Sequence, residues 1–341
     1  MNLFQQQAAN RRKSQWLVVV FVLFFAWLGF GGDFIAWQYS LGAPAGEYRH
    51  TFPWFGLMLS AVAFGLVRHI RRTGAQKVLW SAGAWELVSA DTETQRRLEN
   101  VVEEMAIAAG VPRPTIYIID DPDPNAFVTG TDILKSHLAV TSGLVEMLDR
   151  DELQGVVAHE LGHVKNLDMQ LMTMVAGLAG AIALIADGSL RVLRHGRLLG
   201  RAGGRSGGGK GGKNAGPLLA ILLVVWLVSW LLAPLVTRLL ALGISRKREY
   251  LADAMAAQFT RNPASLASAL DKIEKAGAPT HRIKGGVAHL CIADPLGRRM
   301  SAKPGLLGDL FATHPPMALR VARLRAMAFQ AEKRGGDLPP E

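Results

Sequence analysis

Long apolar runs alternate along the chain with stretches in which apolar and polar residues recur at helical or strand spacing. Each run approaches the length of a helix that spans the hydrocarbon core of a membrane, about 20 residues. The runs cover residues 16–32, 51–67, 169–186 and 217–237. Their order predicts two hairpins and about four transmembrane helices.

The segment between the second and third apolar runs has the pattern of a soluble domain. Residues 92–109 place apolar side chains on one side of a helix and charged ones on the other, and Gly110 is a favourable helix end. Residues 115–119 and 137–141 are short runs that favour strands. The predicted fold class is therefore α+β and mainly helical, with a domain of this kind joined to about four membrane helices.

A further helix is predicted over residues 153–165, directly before the third apolar run. Asp149, followed three residues later by Glu152, fits the capping-box pattern, in which two side chains satisfy free N–H groups at a helix N-terminus. Apolar residues on one side of this segment would face a protein core. The pattern indicates a helix that is fixed at its start and buried along one face.

This helix carries the pattern H-E-x-x-H, formed by His159, Glu160 and His163. Side chains four residues apart lie on the same face of a helix, so both histidines can bind one Zn²⁺. Such a metal needs a third protein ligand and an open position for water, whose proton Glu160 is placed to remove. The pattern predicts hydrolytic chemistry.

Glu249 is the predicted third zinc ligand. It lies with Asp253 at helical spacing in residues 245–253, so both carboxylates share one face. Asp253 is then placed to accept a hydrogen bond from a ligand histidine and to fix its tautomer. The alternative is that the acidic pair only balances Arg246 and Arg248.

The loop at residues 120–130 is turn-rich and ends in a possible strand edge. An exposed edge beside a metal can hold a substrate peptide as one more strand. Asn125, Ala126 and Phe127 lie where the loop meets this edge, so we expect them to bind substrate. The alternative is an ordinary turn.

Near the end of the chain, His314 precedes Pro315, which keeps it out of helical geometry. A histidine at such a corner can donate a hydrogen bond to a developing oxyanion, whereas the alternative is an ordinary turn histidine. Pro316 then starts a basic helix that is expected to end near Gln330. Arg320 in this helix either pairs with a carboxylate near the site, where it would contact substrate, or faces solvent.

Composition adds a membrane setting. The chain has 341 residues, half of them hydrophobic, and a formal charge of +10. This is too apolar for an ordinary soluble enzyme, and we expect a lipid bilayer as a partner rather than nucleic acid. The single cysteine, Cys291, excludes an internal disulfide.

Charges flanking the apolar runs predict topology. Three basic residues precede the first run and three follow the second: Arg11, Arg12, Lys13, Arg68, Arg71 and Arg72. Because basic loops stay in the cytoplasm, the amino terminus and the segment after residue 70 should be cytoplasmic. The expected location is a membrane that the chain crosses several times, with a cytoplasmic site.

The linker at residues 188–216 is rich in glycine and in Lys and Arg, and it has no acidic side chain. It either contacts anionic lipid headgroups or acts as a solvated spacer. If both flanking apolar runs span fully, the linker lies outside, which its positive charge disfavours. Either the hairpin at 171–243 is shallow or partly wrapped in protein, or it spans fully and the linker is translocated despite its charge.

Five segments are predicted in total. They are an N-terminal transmembrane hairpin at 1–70, the first half of the soluble domain at 71–170, the second hydrophobic hairpin at 171–243, the second half of the domain at 244–330, and a disordered tail at 331–341.

The chain resembles HtpX-type integral-membrane zinc metallopeptidases, relatives of the CAAX prenyl endopeptidases. The resemblance rests on four motifs in order: NAFVTG at 125–130, HELGH at 159–163, SRKREYLAD at 245–253, and LFATHPP at 310–316 followed by Arg320. It implies a zincin-like α+β metallopeptidase domain, one Zn²⁺ per chain and protein substrates. It also implies cytoplasmic proteolysis of damaged or misfolded membrane proteins under stress, at the bacterial inner membrane.

For individual residues, the resemblance implies that His159, His163 and Glu249 bind zinc and that Glu160 is the general base. It also implies a supporting position for Asp253, a substrate edge that begins at Asn125, and the oxyanion role of His314. The competing predictions are a CAAX-type processing protease and a non-enzymatic scaffold in which zinc joins two segments.

Overall fold

The computed structural model describes residues 3–41, 49–182, 246–276, 289–293 and 315–336, together with residues 44, 46, 47, 280, 282 and 283. The fourth apolar run, the linker at 188–216 and His314 lie outside these residues. Two compact units are present. The first comprises the described parts of Met1–Ser14, Arg71–Gly177 and Ala241–Glu341, and the second those of Gln15–Ile70 and Leu178–Leu240.

Helices dominate the described residues, as predicted. In chain order they are α1 (Leu3–Leu41), α2 (Trp54–Ser81), α3 (Glu93–Ala109), α4 (Ser142–Met147), α5 (Arg150–Lys165), α6 (Asp168–Ile182), α7 (Arg246–Thr260), α8 (Pro263–Lys275) and α9 (Met317–Gly336). A short 3₁₀ helix covers Ile133–Lys135.

One sheet of four strands accompanies these helices: β1 (Trp85–Glu86), β2 (Thr115–Ile119), β3 (Ala126–Thr129) and β4 (His137–Thr141). The strand order is β1-β2-β4-β3. The central pair β2 and β4 is parallel, whereas β1 and β3 are antiparallel to their neighbours and form the two edges. The predicted strands at 115–119 and 137–141 are confirmed, and the loop at 120–130 does lead into an edge strand.

Local sequence explains where helices α3 and α8 begin and where α3 ends. Thr92 caps α3 in a complete capping box, and Gly110 ends that helix in the left-handed conformation with φ of 66°. At that backbone angle a side chain would be strained, so glycine suits the position. Asn262 caps α8, whose first helical residue is proline. These signals agree with the predicted end of α3 at Gly110.

The first unit is built around two groups of buried apolar side chains. The larger group joins α3, α5, α8 and α9 to one face of the sheet, and α5 passes through its centre. A smaller group, which includes Phe127 and Cys291, packs against other residues of the sheet. The central position of α5 means that its side chains are held from several directions.

The prediction of about four membrane helices is not confirmed by the described residues. Within the described residues, one helix, Gln5–Gln38 inside α1, is long and apolar enough to cross a membrane. The second apolar run belongs to α2, which continues to Ser81 and carries several basic residues in its second half. The described part of the third run lies in the shorter helix Asp168–Ile182.

Two helices extend beyond the apolar or amphipathic runs from which they were predicted. The polar residues before the first apolar run are helical, because α1 begins at Leu3. Helix α9 continues to Gly336 instead of ending near Gln330. Residues 331–336 therefore belong to a helix, and their assignment to a disordered tail is wrong. Good helix formers such as Ala331, Glu332 and Lys333 extend that helix beyond its apolar face.

Candidate functional site

Helix α5 is fixed at its start by the predicted capping box. The Asp149 carboxylate accepts a hydrogen bond from Glu152 N at 2.9 Å, and Glu152 Oε2 accepts one from Asp149 N at 3.1 Å. Glu152 also accepts hydrogen bonds from Ser268 and Lys272 of α8, both at 2.7 Å. These contacts fix the position of the helix that carries His159.

The side chains of His159, His163 and Glu249 meet at one point. The two Nε2 atoms are 3.2 Å apart, and the Glu249 carboxylate lies 3.8 Å from His159 Nε2 and 3.6 Å from His163 Nε2. A tetrahedral zinc site has metal–ligand distances of about 2.0–2.2 Å, which places its ligand atoms roughly 3.3–3.5 Å apart. The three side chains therefore fit a single zinc ion.

Helices α5 and α7 approach closely where these ligands meet. A Cβ atom added to Gly162 would lie 3.3 Å from Ala252 Cα, which is tighter than most such contacts. Glycine at this position therefore lets the two backbones come together. Glu249 is on the face of α7 that is turned toward the histidines, and only 1 % of it is exposed. It does not serve merely to balance charges on its own helix.

Glu160 lies beside this group and is 1 % exposed. Its Oε2 atom has no hydrogen-bond partner among the described residues. Burial raises the pKa of the Glu160 carboxyl to about 7; the His163 charge opposes this rise, and the Glu249 charge adds to it. A carboxyl group with a pKa near neutrality can both accept and return a proton.

Asp253 lies behind His159 on the side away from the metal position. Its Oδ1 atom is 2.9 Å from His159 Nδ1, so an Nδ1–H donates to it and leaves the Nε2 lone pair directed at the metal position. Burial lowers the pKa of His159 and so favours the neutral ring that a metal ligand requires.

Arg320 is fully buried and holds Asp253. Its Nε and Nη2 atoms donate to the two Asp253 oxygens at 2.9 and 2.7 Å, and Nη1 lies 3.3 Å from Glu249 Oε2. Burial raises the pKa of the Asp253 carboxyl, but the Arg320 charge and hydrogen bonds from His159 and Arg320 outweigh it and hold this pKa at about 2. Of the two expectations for Arg320, pairing with a carboxylate is the one observed, and a side chain with no exposed surface does not contact substrate in this conformation.

His163 has its own carboxylate partner, Asp168, which sequence reasoning missed. Asp168 Oδ2 lies 3.4 Å from His163 Nδ1, and Asp168 is fully buried. Burial lowers the pKa of His163, but the Asp168 hydrogen bond and the Glu249 and Asp168 charges outweigh it and raise this pKa to about 9. Metal binding at His163 would release that proton.

A tight turn brings Asp168 back to His163. Helix α5 ends at Lys165, and Leu167 adopts a φ of 60°, an uncommon value for a residue other than glycine. Asp168 then begins α6, and its side chain reaches His163, the histidine five residues earlier. No regular helical or strand spacing relates His163 to Asp168. The sequence signal for their contact is therefore weak: it consists of an aspartate located just after the end of α5.

The predicted substrate edge is buried at its start. Asn125 donates from Nδ2 to Ala293 O at 2.9 Å, and Ala126 O accepts a hydrogen bond from Ile292 N at 2.9 Å. Phe127 is fully buried within the smaller apolar group. The chain itself thus occupies the first part of this edge, and substrate binding by Asn125, Ala126 and Phe127 stays a prediction.

Histidine, cysteine, aspartate and glutamate side chains can bind a metal ion. In the part of the chain that the structure describes, one group of three or more of them lies close enough together to do so: His159, His163 and Glu249. His314 lies outside the described residues, so its oxyanion role stays a prediction. A buried H-E-x-x-H helix, a carboxylate from a second helix and an adjacent glutamate define the class: a metallopeptidase with a His₂Glu site.

Comparison with known proteins identifies the family within this class. A model of Peptidase family M48 matches residues 92–328. A protein named Protease HtpX homolog from Caldanaerobacter subterraneus subsp. tengcongensis is 38% identical over 328 residues, covering 96% of this chain and 98% of its own. A protein of the same name from Tropheryma whipplei is 40% identical over 322 residues, covering 94% and 97%. The chain belongs to Peptidase family M48.

These relatives confirm the resemblance stated from the motifs. The protein is a membrane metalloprotease of a family that in general depends on zinc, and the prediction of a non-enzymatic scaffold is not supported. Among solved structures, the crystal structure of S. mikatae Ste24p is similar with a TM-score of 0.44 and 18% identity, covering 94% of this chain and 67% of that one.

Proposed function

We propose that this protein is an endopeptidase with one Zn²⁺ per chain, which cleaves damaged or misfolded membrane proteins on the cytoplasmic side of the bacterial inner membrane. The observation that carries the proposal is the convergence of His159, His163 and Glu249 beside a buried Glu160. The family resemblance supports the substrate class. About four transmembrane helices, as the apolar runs suggest, belong to the same proposal.

The roles of the side chains follow from their positions. A zinc ion held by His159, His163 and Glu249 would lower the pKa of water and polarise the scissile carbonyl. Glu160 accepts the proton of the attacking water and returns it to the leaving amine, which suits a pKa of about 7. Asp253 fixes the His159 ring.

Charge distribution supports the cytoplasmic assignment. Three basic residues lie just before the apolar part of α1 and three within the second half of α2. They are Arg11, Arg12 and Lys13 in α1, and Arg68, Arg71 and Arg72 in α2. Such residues are retained on the cytoplasmic side of a membrane. Contact of the linker at 188–216 with anionic lipid belongs to the same proposal.

The decisive experiment is the Glu160→Gln substitution in the full-length protein, tested on an unfolded membrane protein in proteoliposomes. Loss of the general base should lower the cleavage rate by roughly 10²- to 10⁴-fold. Zinc content should be unchanged, because Glu160 is not among the three ligands. The matched control is Glu103→Gln, which alters an exposed glutamate on α3 and should cleave normally. Unchanged cleavage by Glu160→Gln would exclude the proposed base.

The substrate class needs a separate comparison. Purified protein is offered either a peptide with a prenylated C-terminal cysteine or an unfolded membrane protein without a lipid group. The proposal predicts cleavage of the second and no preference for the first. Preferential cleavage of the prenylated peptide would instead favour a CAAX-type processing protease.

A further inference from the structure

The polar segment before the apolar part of α1 belongs to the first unit, which is the peptidase unit, and touches the end of α5. Gln7 donates from Nε2 to Lys165 O at 2.7 Å, and Asn10 donates from Nδ2 to Asn166 O at 2.9 Å. The last carbonyls of a helix lack partners within the helix. Two amide side chains one turn apart on α1 therefore complete the end of the helix that carries the H-E-x-x-H pattern.

Asn10 makes a second contact that Gln7 does not make. The same Nδ2 atom lies 2.7 Å from Asp168 Oδ1. Asn10 is 3% exposed and Asp168 is fully buried, so water does not compete for this hydrogen bond. An amide suits the position because it offers two N–H groups, one for Asn166 O and one for the carboxylate.

Asp168 connects Asn10 to His163, because each of its two oxygens faces one of them. Its Oδ1 atom accepts from Asn10 and lies 3.5 Å from Arg248 Nη1, while Oδ2 faces His163 Nδ1 at 3.4 Å. A carboxylate held on one oxygen has a fixed plane, and the direction of its second oxygen is then fixed as well. The ring of His163 is thereby oriented from a residue near the amino terminus.

We propose that Asn10 is a positioning residue of the peptidase, which acts through Asp168 to orient His163 toward the metal. The proposal rests on the proposed role of His163 as a ligand. Partners of ligand histidines commonly tune metal affinity, and a carboxylate partner needs hydrogen bonds of its own. Within the polar amino-terminal segment, Asn10 is the residue that contacts Asp168.

The test measures zinc affinity of the full-length protein in detergent by competition with a chelator of known affinity. Asp168→Asn should weaken zinc binding by about 10- to 100-fold, and Asn10→Ala by a smaller factor of roughly 3- to 10-fold. The matched control is Gln7→Ala, which removes a helix contact one turn earlier without touching Asp168. That variant should retain the affinity of the unaltered protein.

A double-mutant cycle separates positioning from a general effect on folding. If Asn10 acts through Asp168, then Asn10→Ala should change zinc affinity by less than about twofold in the Asp168→Asn background, because interacting residues are not additive. The proposal would be overturned if Asn10→Ala lowered zinc affinity equally in the unaltered protein and in Asp168→Asn. It would also be overturned if Asn10→Ala had no effect on zinc affinity in the unaltered protein.

Asn10→Asp gives a second, independent variant of nearly the same size. It places a carboxylate against the Asp168 carboxylate, so zinc binding should fall further than in Asn10→Ala, and the additional loss should disappear in Asp168→Asn. The absorption spectrum of the Co²⁺-substituted protein should change in step, since it reports ligand geometry. Spectra and affinities identical to those of the unaltered protein would contradict the inference.

The failure of this inference differs from a failure of the proposed function. If Glu249→Ala leaves zinc affinity unchanged, the proposed ligand set itself is wrong. If Glu249→Ala abolishes tight binding while Asn10→Ala and Asn10→Asp bind normally, the ligand set holds and only the role of Asn10 is refuted.

Discussion

Glu249 contributes the one carboxylate among the three converging side chains, and it comes from a different helix than the histidines. Glu249→Ala should reduce zinc well below one ion per chain in metal analysis at low free zinc. Asp253→Ala should reduce zinc affinity less, by about 10- to 100-fold, because Asp253 only holds a ligand. Glu274→Ala, an exposed change on α8, is the control. Full zinc occupancy in Glu249→Ala would refute the assignment.

Arg320 should matter for stability even without metal, because it neutralises Asp253 where both side chains are buried. Removing one partner of a buried ion pair typically costs about 3–5 kcal/mol. We therefore expect Arg320→Met to lower the unfolding free energy of the metal-free protein by roughly that amount. Denaturant unfolding of the full-length protein in detergent measures it.

The control for this prediction is Arg325→Met on the same helix. Arg325 is 65% exposed and lies 3.9 Å from Asp271, so its loss should cost at most about 1 kcal/mol. Equal effects of the two substitutions would mean that the Arg320 contact contributes no more than a surface ion pair.

At the residue scale, regular spacing decides what sequence can reveal. His159, Glu160 and His163 were identified because their spacing has a direct helical meaning, and Glu249 because a zinc site needs a third ligand. Asp168 and Asn10 were missed, since their contacts depend on the turn at Leu167 and on tertiary docking. Burial of Arg320 likewise depends on packing that spacing does not encode.

At the scale of elements, the packing of α5 depends on a residue without a side chain. A Cβ atom added to Gly155 would lie 2.8 Å from Leu266 N and 2.9 Å from Leu266 Cα, both of which are backbone atoms of α8. Gly155→Ala should therefore lower the unfolding free energy by about 1–3 kcal/mol through overpacking. Thermal unfolding followed by circular dichroism measures the change.

Gly65→Ala is the matched control because it makes the same change in a helix with nothing within 4 Å of the added atom. Alanine is the better helix former by about 1 kcal/mol, so this variant should be unaffected or more stable. If Gly155→Ala were equally stable, then α5 and α8 would have room to separate.

Elements with strong local signals were predicted well. The caps and periodicity of α3 and α5 and the β-rich runs of β2 and β4 agree with the structure. The two-residue strand β1 was missed because it is too short to show a pattern and exists only by pairing with β2. The end of α9 was misjudged because the helix outlasts its apolar face.

At the scale of the whole molecule, the metal would join two helices that are far apart in the sequence, α5 and α7. A ligand that binds only the folded state adds stability, about 2.7 kcal/mol when its free concentration is a hundred times its dissociation constant. Chelation of zinc should therefore lower the thermal midpoint of the protein. In Glu249→Ala the same chelator should have little effect, and an equal shift in both proteins would argue against a metal that bridges α5 and α7.

The order of the site residues along the chain has a consequence for biosynthesis. Arg320 follows His159 by 161 residues. At a translation rate of about 5–20 residues per second, the interval between their syntheses is on the order of 10–30 seconds. During that time the growing chain already carries H-E-x-x-H but lacks the arginine that supports Asp253. Until Arg320 is synthesised, the Asp253 carboxylate lacks the hydrogen bonds that hold it, so the His159 ring has less support than in the finished site.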